Sequence, residues 1–436
     1  MASSDPSTLS PEQMTAPIPP YLLPDTASVA GDGRLSVGGV DLVDLAREFG
    51  TPLFVFDEEQ LRARCREAVA TFGDGVAYAT KAFLCTAMAK LAYDEGMHLD
   101  VASGGELHVA KAAGVPGSHL VLHGNNKSLR ELREAIDYGV ARIVVDSFDE
   151  LDRLDALHAE TGKVPQILLR VTPGVEAHTH EFISTGQDDS KFGFTVSTGM
   201  AAKAVDRAVA AWSVKLIGLH AHIGSQVFRA ESFRESARVM AEFAAPFNLP
   251  ELSLGGGLGV PYVSGEEAPT IAQWGAMVRA ACEEAGVTAQ VGAEPGRAIC
   301  ASAAVTLYEI GTIKHLDGIR TYVSVDGGMS DNPRPVLYGS GYEMFLPRAA
   351  NAERPMLVRM VGKHCESGDI VVREGGLPPA AAVGDIVATP VTGAYGYSLA
   401  SNYNKLPRPA VVFVRNGAVR EVVRRETYED LLRLDL

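Results

Sequence analysis

The sequence predicts an α/β fold in which a (β/α)8 TIM barrel is joined to a C-terminal β-rich domain of sandwich or barrel type. Three observations predict it. From about residue 52, short apolar or β-branched runs alternate with Ala-, Glu- and Arg-rich stretches of helical period, the pattern of βα units around a parallel sheet. Eight such runs occur up to Glu294, which is the count a closed barrel needs. Beyond Arg297 the texture changes to strands broken by Gly and Pro, with helix returning only near the C-terminus. A doubly wound open sheet is the alternative.

Taken in order, residues 1–30 are rich in Pro, Ser and Thr with little periodicity and are expected to form a flexible arm. Residues 34–40 have strand character, so 31–51 is expected to join the β domain. The barrel is expected over 52–300 and the β domain over 301–436. The run 52–56 leads into barrel strands at 76–82, 98–103, 120–124, 142–146, 166–171, 216–223, 252–256 and 290–294. A helix at 149–161 follows Ser147-Phe-Asp-Glu, an N-cap with acidic first-turn residues. Strands at 321–325, 356–361, 385–389 and 410–415 build the second domain.

Composition removes several classes of function. With 39 basic against 54 acidic side chains the formal charge is -15, so phosphate backbones and anionic lipid are repelled and neither nucleic acid nor membrane is an expected partner. No apolar run is long enough to span a bilayer, and the first twenty residues have neither a basic nor an apolar leader region, so a cytoplasmic setting is expected. The five cysteines are widely spaced and odd in number, without a C-x-x-C pair, which argues against a disulfide framework or zinc knuckle.

Barrel enzymes build their sites from the loops after the strands, and here those loops carry polar and glycine-rich residues. Strand one ends in Tyr78-Ala-Thr-Lys81-Ala, where a lysine in a dry barrel mouth would become a Schiff-base nucleophile; a surface lysine is the plain alternative. Strand two ends in Asp100-Val-Ala-Ser-Gly-Gly-Glu106 and strand three in His123-Gly-Asn-Asn-Lys127. Strand six ends in His220-Ala-His222-Ile-Gly-Ser225-Gln226, whose histidines at i and i+2 share a strand face and suit an aromatic plate under a ring. A metal is set aside, because no cysteine or carboxylate cluster stands near them in sequence. Gly255-Gly256-Gly257 follows strand seven and Glu294-Pro-Gly296-Arg297 follows strand eight, the usual places for a phosphate. Glu294 beside a pyridine ring would keep the ring nitrogen protonated.

Together with Lys363-His-Cys365-Glu366-Ser-Gly-Asp369 and Gly393-Ala-Tyr395, these motifs resemble the fold-type III pyridoxal 5'-phosphate (PLP) decarboxylases, and among them the diaminopimelate decarboxylase branch, over about residues 35–430. The resemblance implies that Lys81 carries the cofactor and that His222 stacks on its ring. It implies that Ser225, Gly255, Gly256, Gly257 and the backbone from Glu294 through Gly296 to Arg297 hold the phosphate with the Tyr395 hydroxyl, and that Glu294 pairs with the pyridine nitrogen. Arg297, Arg334 and Tyr338 are suited to a carboxylate at the far end of the substrate, Glu366 to the distal ammonium, and Tyr395 also to substrate. Cys365 is the implied proton donor. The implied reaction is decarboxylation of meso-2,6-diaminopimelate at its D-centre to L-lysine and CO2 by a homodimer with shared active sites. The polar stretch 178–194 resembles a family loop over the site and is expected to be mobile. The rivals are a decarboxylase of ornithine, lysine, arginine or a carboxy-polyamine, which has no need of Arg297 and Arg334 as carboxylate clamps, and a non-catalytic PLP carrier, which is a single barrel.

Overall fold

A computed structural model describes residues 11–175, 186–228 and 230–436. The chain forms two compact units, one of Arg64–Gly259 and Ala268–Ala298, the other of Met1–Ala63, Val260–Glu267 and Ile299–Leu436.

The first unit is the barrel. Its strands are Ala77–Ala79, His98–Val101, Leu120–Leu122, Arg142–Val145, Gln166–Thr172, Lys215–His220, Glu251–Ser253 and Gln290–Gly292. Each pairs in parallel with the next in this order. Closure comes from a bridge between Val76 and Ala293, extended by hydrogen bonds from Ala77 N to Ala293 O at 3.0 Å and from Ala79 N to Pro295 O at 3.2 Å. Ala77, Val121, Val144, Leu168 and Ile217, all on barrel strands, form a buried apolar cluster, and apolar packing of this kind makes such a barrel a core rather than a pore. The fourth intervening helix, Phe148–Thr161, starts as its sequence requires: Ser147 Oγ accepts from Glu150 N, and Gly162 ends it in the left-handed region.

The second unit holds a mixed sheet in the order Ile370–Leu377, Met356–Val361, Arg320–Val325, Ala304–Leu316, Leu53–Asp57, Ala410–Arg415, Ala418–Val423, with Ile386–Pro390 also on Ala304–Leu316. Two expectations are corrected here. The run 52–56, read as leading into the barrel, is the strand Leu53–Asp57 at the middle of this sheet, antiparallel to Ala304–Leu316 and parallel to Ala410–Arg415. All five of its residues are buried, so it shows the unbroken apolar run of a strand covered on both faces, which looks the same in either architecture.

The arm expected over 1–30 is anchored from residue 11 onward. Pro11–Thr15 is helical, Ile18 and Leu22 are buried, and Arg354 N–H groups donate to the carbonyls of Thr15, Ala16 and Gln13. A fully buried guanidinium collecting backbone carbonyls fixes the segment, and its pairing with Glu343 at 2.9 Å balances the charge. Residues 1–10 of that expectation lie outside the described residues.

Candidate active site

The barrel unit gathers a buried charge cluster at the C-terminal ends of its strands. Glu294, two residues past strand eight, is buried and sits between two histidines. Its Oε2 lies 2.9 Å from His220 Nε2, its Oε1 lies 3.2 Å from His123 Nε2, and Ser253 Oγ donates to Oε1 at 3.2 Å. Burial alone would raise its pKa; His123 and then His220 outweigh that and hold the carboxyl well below its usual range. His123 is itself raised, since Asp100 at 3.6 Å and Glu294 overcome its desolvation. His220 is pushed down to about 4 by burial. Burial also pushes Asp100 up to about 6, against the pull of His123.

The histidine pair of strand six does not share a strand face as expected. The strand stops at His220, and His222 in the following turn accepts a hydrogen bond at Nδ1 from Gly256 N at 3.2 Å. That bond fixes the neutral ring with its proton on Nε2, in line with a pKa pushed far down by burial and then by Lys81. The partner of Glu294 is therefore His220, which the motif quoted without a role. His123, His220 and Glu294 also place three ligand atoms within 4.8 Å of one another. Metal was set aside for want of a nearby carboxylate, and the fold supplies one from strand eight. Of the two imidazoles, His220 is hydrogen-bonded to that carboxylate.

Lys81 lies in the 3-10 turn Thr80–Ala82 beyond strand one, where Thr80 Oγ1 bonds Asp100 O at 2.7 Å. It is exposed rather than held in a dry mouth, because the turn carries it past the apolar strand. Its charge acts on Asp100 and His222.

The glycine turn after strand seven is close-packed backbone. A Cβ on Gly256 would meet Glu294 O at 2.2 Å, and Gly255 and Gly257 have φ of 67° and 109°. Two of its N–H groups are directed within the chain, Gly255 to Ser253 Oγ and Gly256 to His222 Nδ1. Gly296 is as tightly held, with Ala79 O 2.9 Å from a Cβ position. Arg297 is buried and donates from Nη2 to Ser225 Oγ at 2.8 Å, which joins two residues expected at the phosphate. Gln226, next to Ser225, adopts φ 60°, a conformation that surrounding structure must impose.

Of the stretch 178–194, residues 178–185 lie outside the described residues. The rest is pinned: Gly193 N donates to Asp146 Oδ1 at 2.7 Å, and the Arg170 guanidinium lies 4.1 Å from the centre of the Phe192 ring.

The second unit carries the other predicted residues. Arg334 starts the short helix Arg334–Tyr338 and is 3% exposed. Its Nη1 donates to Tyr342 Oη at 2.6 Å, and its guanidinium stacks 4.1 Å from the centre of the Tyr262 ring. Among the described residues no carboxylate pairs with it, and its buried Nε has no hydrogen-bond partner. Sequence reasoning missed Tyr262 and Tyr342, which no motif spacing connects to Arg334. Tyr338, at the end of the same helix, is half-buried.

Cys365 and Glu366 are exposed on a turn that is firmly held. Asp369 accepts from His364 N and Met329 N, Cys365 N donates to Asn404 Oδ1 at 3.0 Å, and Tyr403 Oη donates to Glu366 at 3.3 Å. Asn404 and Lys405 both have positive φ. Tyr395 is half-buried with φ 59°, costly for a bulky aromatic and hence a mark of local constraint.

These residues fit PLP: an ionised carboxylate for a protonated pyridine nitrogen, a flat neutral imidazole with fixed orientation, an exposed lysine, and a backbone turn that leaves no room for Cβ atoms. Comparison with known proteins agrees. Residues 58–301 match the family model of the pyridoxal-dependent decarboxylase pyridoxal-binding domain. The chain is 47% identical to a diaminopimelate decarboxylase of Mycobacterium tuberculosis over 93% of this chain and 95% of that protein. It is 43% identical to one of Bacillus subtilis, again over 93% and 95%. Among solved structures, a diaminopimelate decarboxylase of M. jannaschii in complex with L-lysine aligns with a TM-score of 0.87 at 32% identity, covering 94% of this chain and 98% of the other.

Proposed function

The chain belongs to the pyridoxal-dependent decarboxylases, in their diaminopimelate decarboxylase branch, and from that membership we propose that with PLP bound it removes CO2 from the D-centre of meso-2,6-diaminopimelate and releases L-lysine. Arg334 carries the substrate assignment. A buried guanidinium with no paired carboxylate among the described residues is costly, and a carboxylate at the far end of the substrate compensates it by charge-assisted hydrogen bonds. L-Lysine, L-ornithine and L-arginine have no such group.

Bound PLP supplies an electron sink for the pair released when the bond from Cα to the carboxylate breaks. Lys81 is the residue that would hold the cofactor, through its side-chain amine. His222 orients the ring from one face, and Ser225, Gly255, Gly256, Gly257, Gly296, Arg297 and the Tyr395 hydroxyl hold the phosphate. Glu294 keeps a proton on the pyridine nitrogen. Arg297, Arg334, Tyr338 and Tyr395 bind the distal carboxylate, and Glu366 the distal ammonium. Cys365 Sγ delivers the proton to Cα.

An exposed thiol and carboxylate on a rigid turn suit service to a second copy of the chain, so the working species is a homodimer with shared active sites. The five cysteines form no disulfide, which suits a reducing compartment, the cytoplasm, and no helix among the described residues is long and apolar enough to cross a membrane.

The test is CO2 release and lysine formation by purified, PLP-loaded protein from meso-diaminopimelate, run beside L-lysine, L-ornithine and L-arginine. Turnover of diaminopimelate alone supports the reading. Turnover of a basic amino acid in its place removes Arg334 as the basis of specificity, and bound PLP without turnover of any of them refutes the enzyme assignment.

A further inference from the structure

Glu294 has a task that its burial opposes. A carboxyl enclosed by protein prefers its neutral acid form, whereas a pyridine nitrogen is kept protonated by a carboxylate. Five strands converge on this conflict: Asp100 from strand two, His123 from the end of strand three, His220 from strand six, Ser253 from strand seven and Glu294 after strand eight. Both carboxylate oxygens are hydrogen-bonded, Oε2 with His220 Nε2 at 2.9 Å and Oε1 with Ser253 Oγ at 3.2 Å, while His123 Nε2 stands 3.2 Å from Oε1 as an ion-pair neighbour outside hydrogen-bond geometry. The two imidazole rings stand 4.9 Å apart at 70°, each with its Nε2 within 3.2 Å of a carboxylate oxygen.

The histidines do different work. His220 is fully enclosed and its Nδ1 has no hydrogen-bond partner, so a second proton there would be stranded; the ring is neutral and donates from Nε2. It orients. His123 stands with its Nε2 between two carboxylates, Glu294 at 3.2 Å and Asp100 at 3.6 Å, which raise its pKa and favour its protonated form.

We propose that His123 and His220 are positioning residues for the decarboxylation, His123 by supplying the charge that keeps Glu294 a carboxylate and His220 by fixing the direction in which that carboxylate faces the cofactor's ring nitrogen. The proposal rests on the reading of Glu294 as the partner of that nitrogen. Other groups acting on the cluster are Asp100, Arg170, Lys81 and His222, of which Arg170 and Lys81 bring positive charge and Asp100 negative.

The experiment uses the PLP-loaded enzyme and four variants: Glu294→Gln, His123→Gln, His220→Gln and His220→Leu. Three quantities are read: the dissociation constant for PLP, the pH titration of the bound cofactor's absorbance, and kcat and KM against pH. In His123→Gln the acid limb of both the absorbance titration and kcat moves up by about one pH unit or more, the size of shift an adjacent opposite charge produces, with KM nearly unchanged. His220→Leu weakens PLP binding and lowers kcat roughly tenfold or more without moving the limb, and His220→Gln, whose amide N–H stands near the place of Nε2, restores most of the loss. If Glu294→Gln is severe while His123→Gln leaves the limb in place and His220→Leu leaves PLP binding intact, the proposal is overturned and the reading of Glu294 stands. If Glu294→Gln itself changes nothing, the reading beneath it fails.

Discussion

Lys127 offers the sharpest test of how the barrel is held together. Its side chain is 2% exposed, and its three N–H groups meet three acceptors: Gly124 O at 2.7 Å, Val144 O at 2.6 Å and Glu150 Oε1 at 2.7 Å. Glu150, 1% exposed, uses its other oxygen to accept from Asp146 N at 3.1 Å. Burial pulls the ammonium pKa down and pushes the carboxyl up, so neither group tolerates losing the other. Lys127→Met strands a buried carboxyl and two carbonyls, and removal of one partner from such a pair costs about 3–5 kcal/mol. The double variant Lys127→Met/Glu150→Leu strands no charge. It leaves two carbonyls without their donor and Asp146 N without its acceptor but no unpaired charge, so it is expected to be about 2 kcal/mol more stable than Lys127→Met alone. Urea unfolding followed by the fluorescence of Trp274, fully buried in the barrel unit, reads this directly; the other tryptophan, Trp212, is 90% exposed. A loss under about 1 kcal/mol for Lys127→Met, or a double variant no more stable than the single, would falsify the claim that the pair is a structural tie.

The remaining predictions concern pH and chemistry. Asp331 is buried, accepts from Tyr308 Oη at 2.6 Å, and is pushed by burial up to about 7. The folded state therefore holds a proton between roughly pH 4 and 7 that the unfolded state has released, so stability falls as pH rises through that window, by up to about 4 kcal/mol for the roughly three-unit shift. Asp331→Asn keeps the shape and should flatten the urea midpoint across pH 4–8; an unchanged slope contradicts the assignment. Lys81→Ala is expected to lose the absorbance of protein-bound PLP. Cys365→Ala should keep that absorbance and slow lysine formation by about 10²-fold or more, as loss of a proton donor does; normal turnover by the latter removes Cys365 from the chemistry.

The sequence by itself determined what depends on local pattern. The alternation of apolar runs and helical stretches, the Ser147 cap and the glycine turn at 255–257 were all legible, because period, capping and close backbone approach are decided within a few residues. The motifs that contain Lys81, His222, Glu294, Cys365 and Arg334 are visible in the sequence, and the roles proposed for these residues rest on the family resemblance. Tertiary structure decided which segments became neighbours. Leu53–Asp57 left the barrel for the other sheet because its partners are residues 304–307 and 410–414, more than 240 positions away. His220 took Glu294 because strand six ended one residue before the turn that carries His222 to Gly256. The anchoring of residues 13–16 needed Arg354, and the aromatic support of Arg334 needed Tyr262. An apolar run states only that it will be covered, and a buried charge only that it will be matched; the partner is chosen by the folded chain's long-range register, which no local signal encodes.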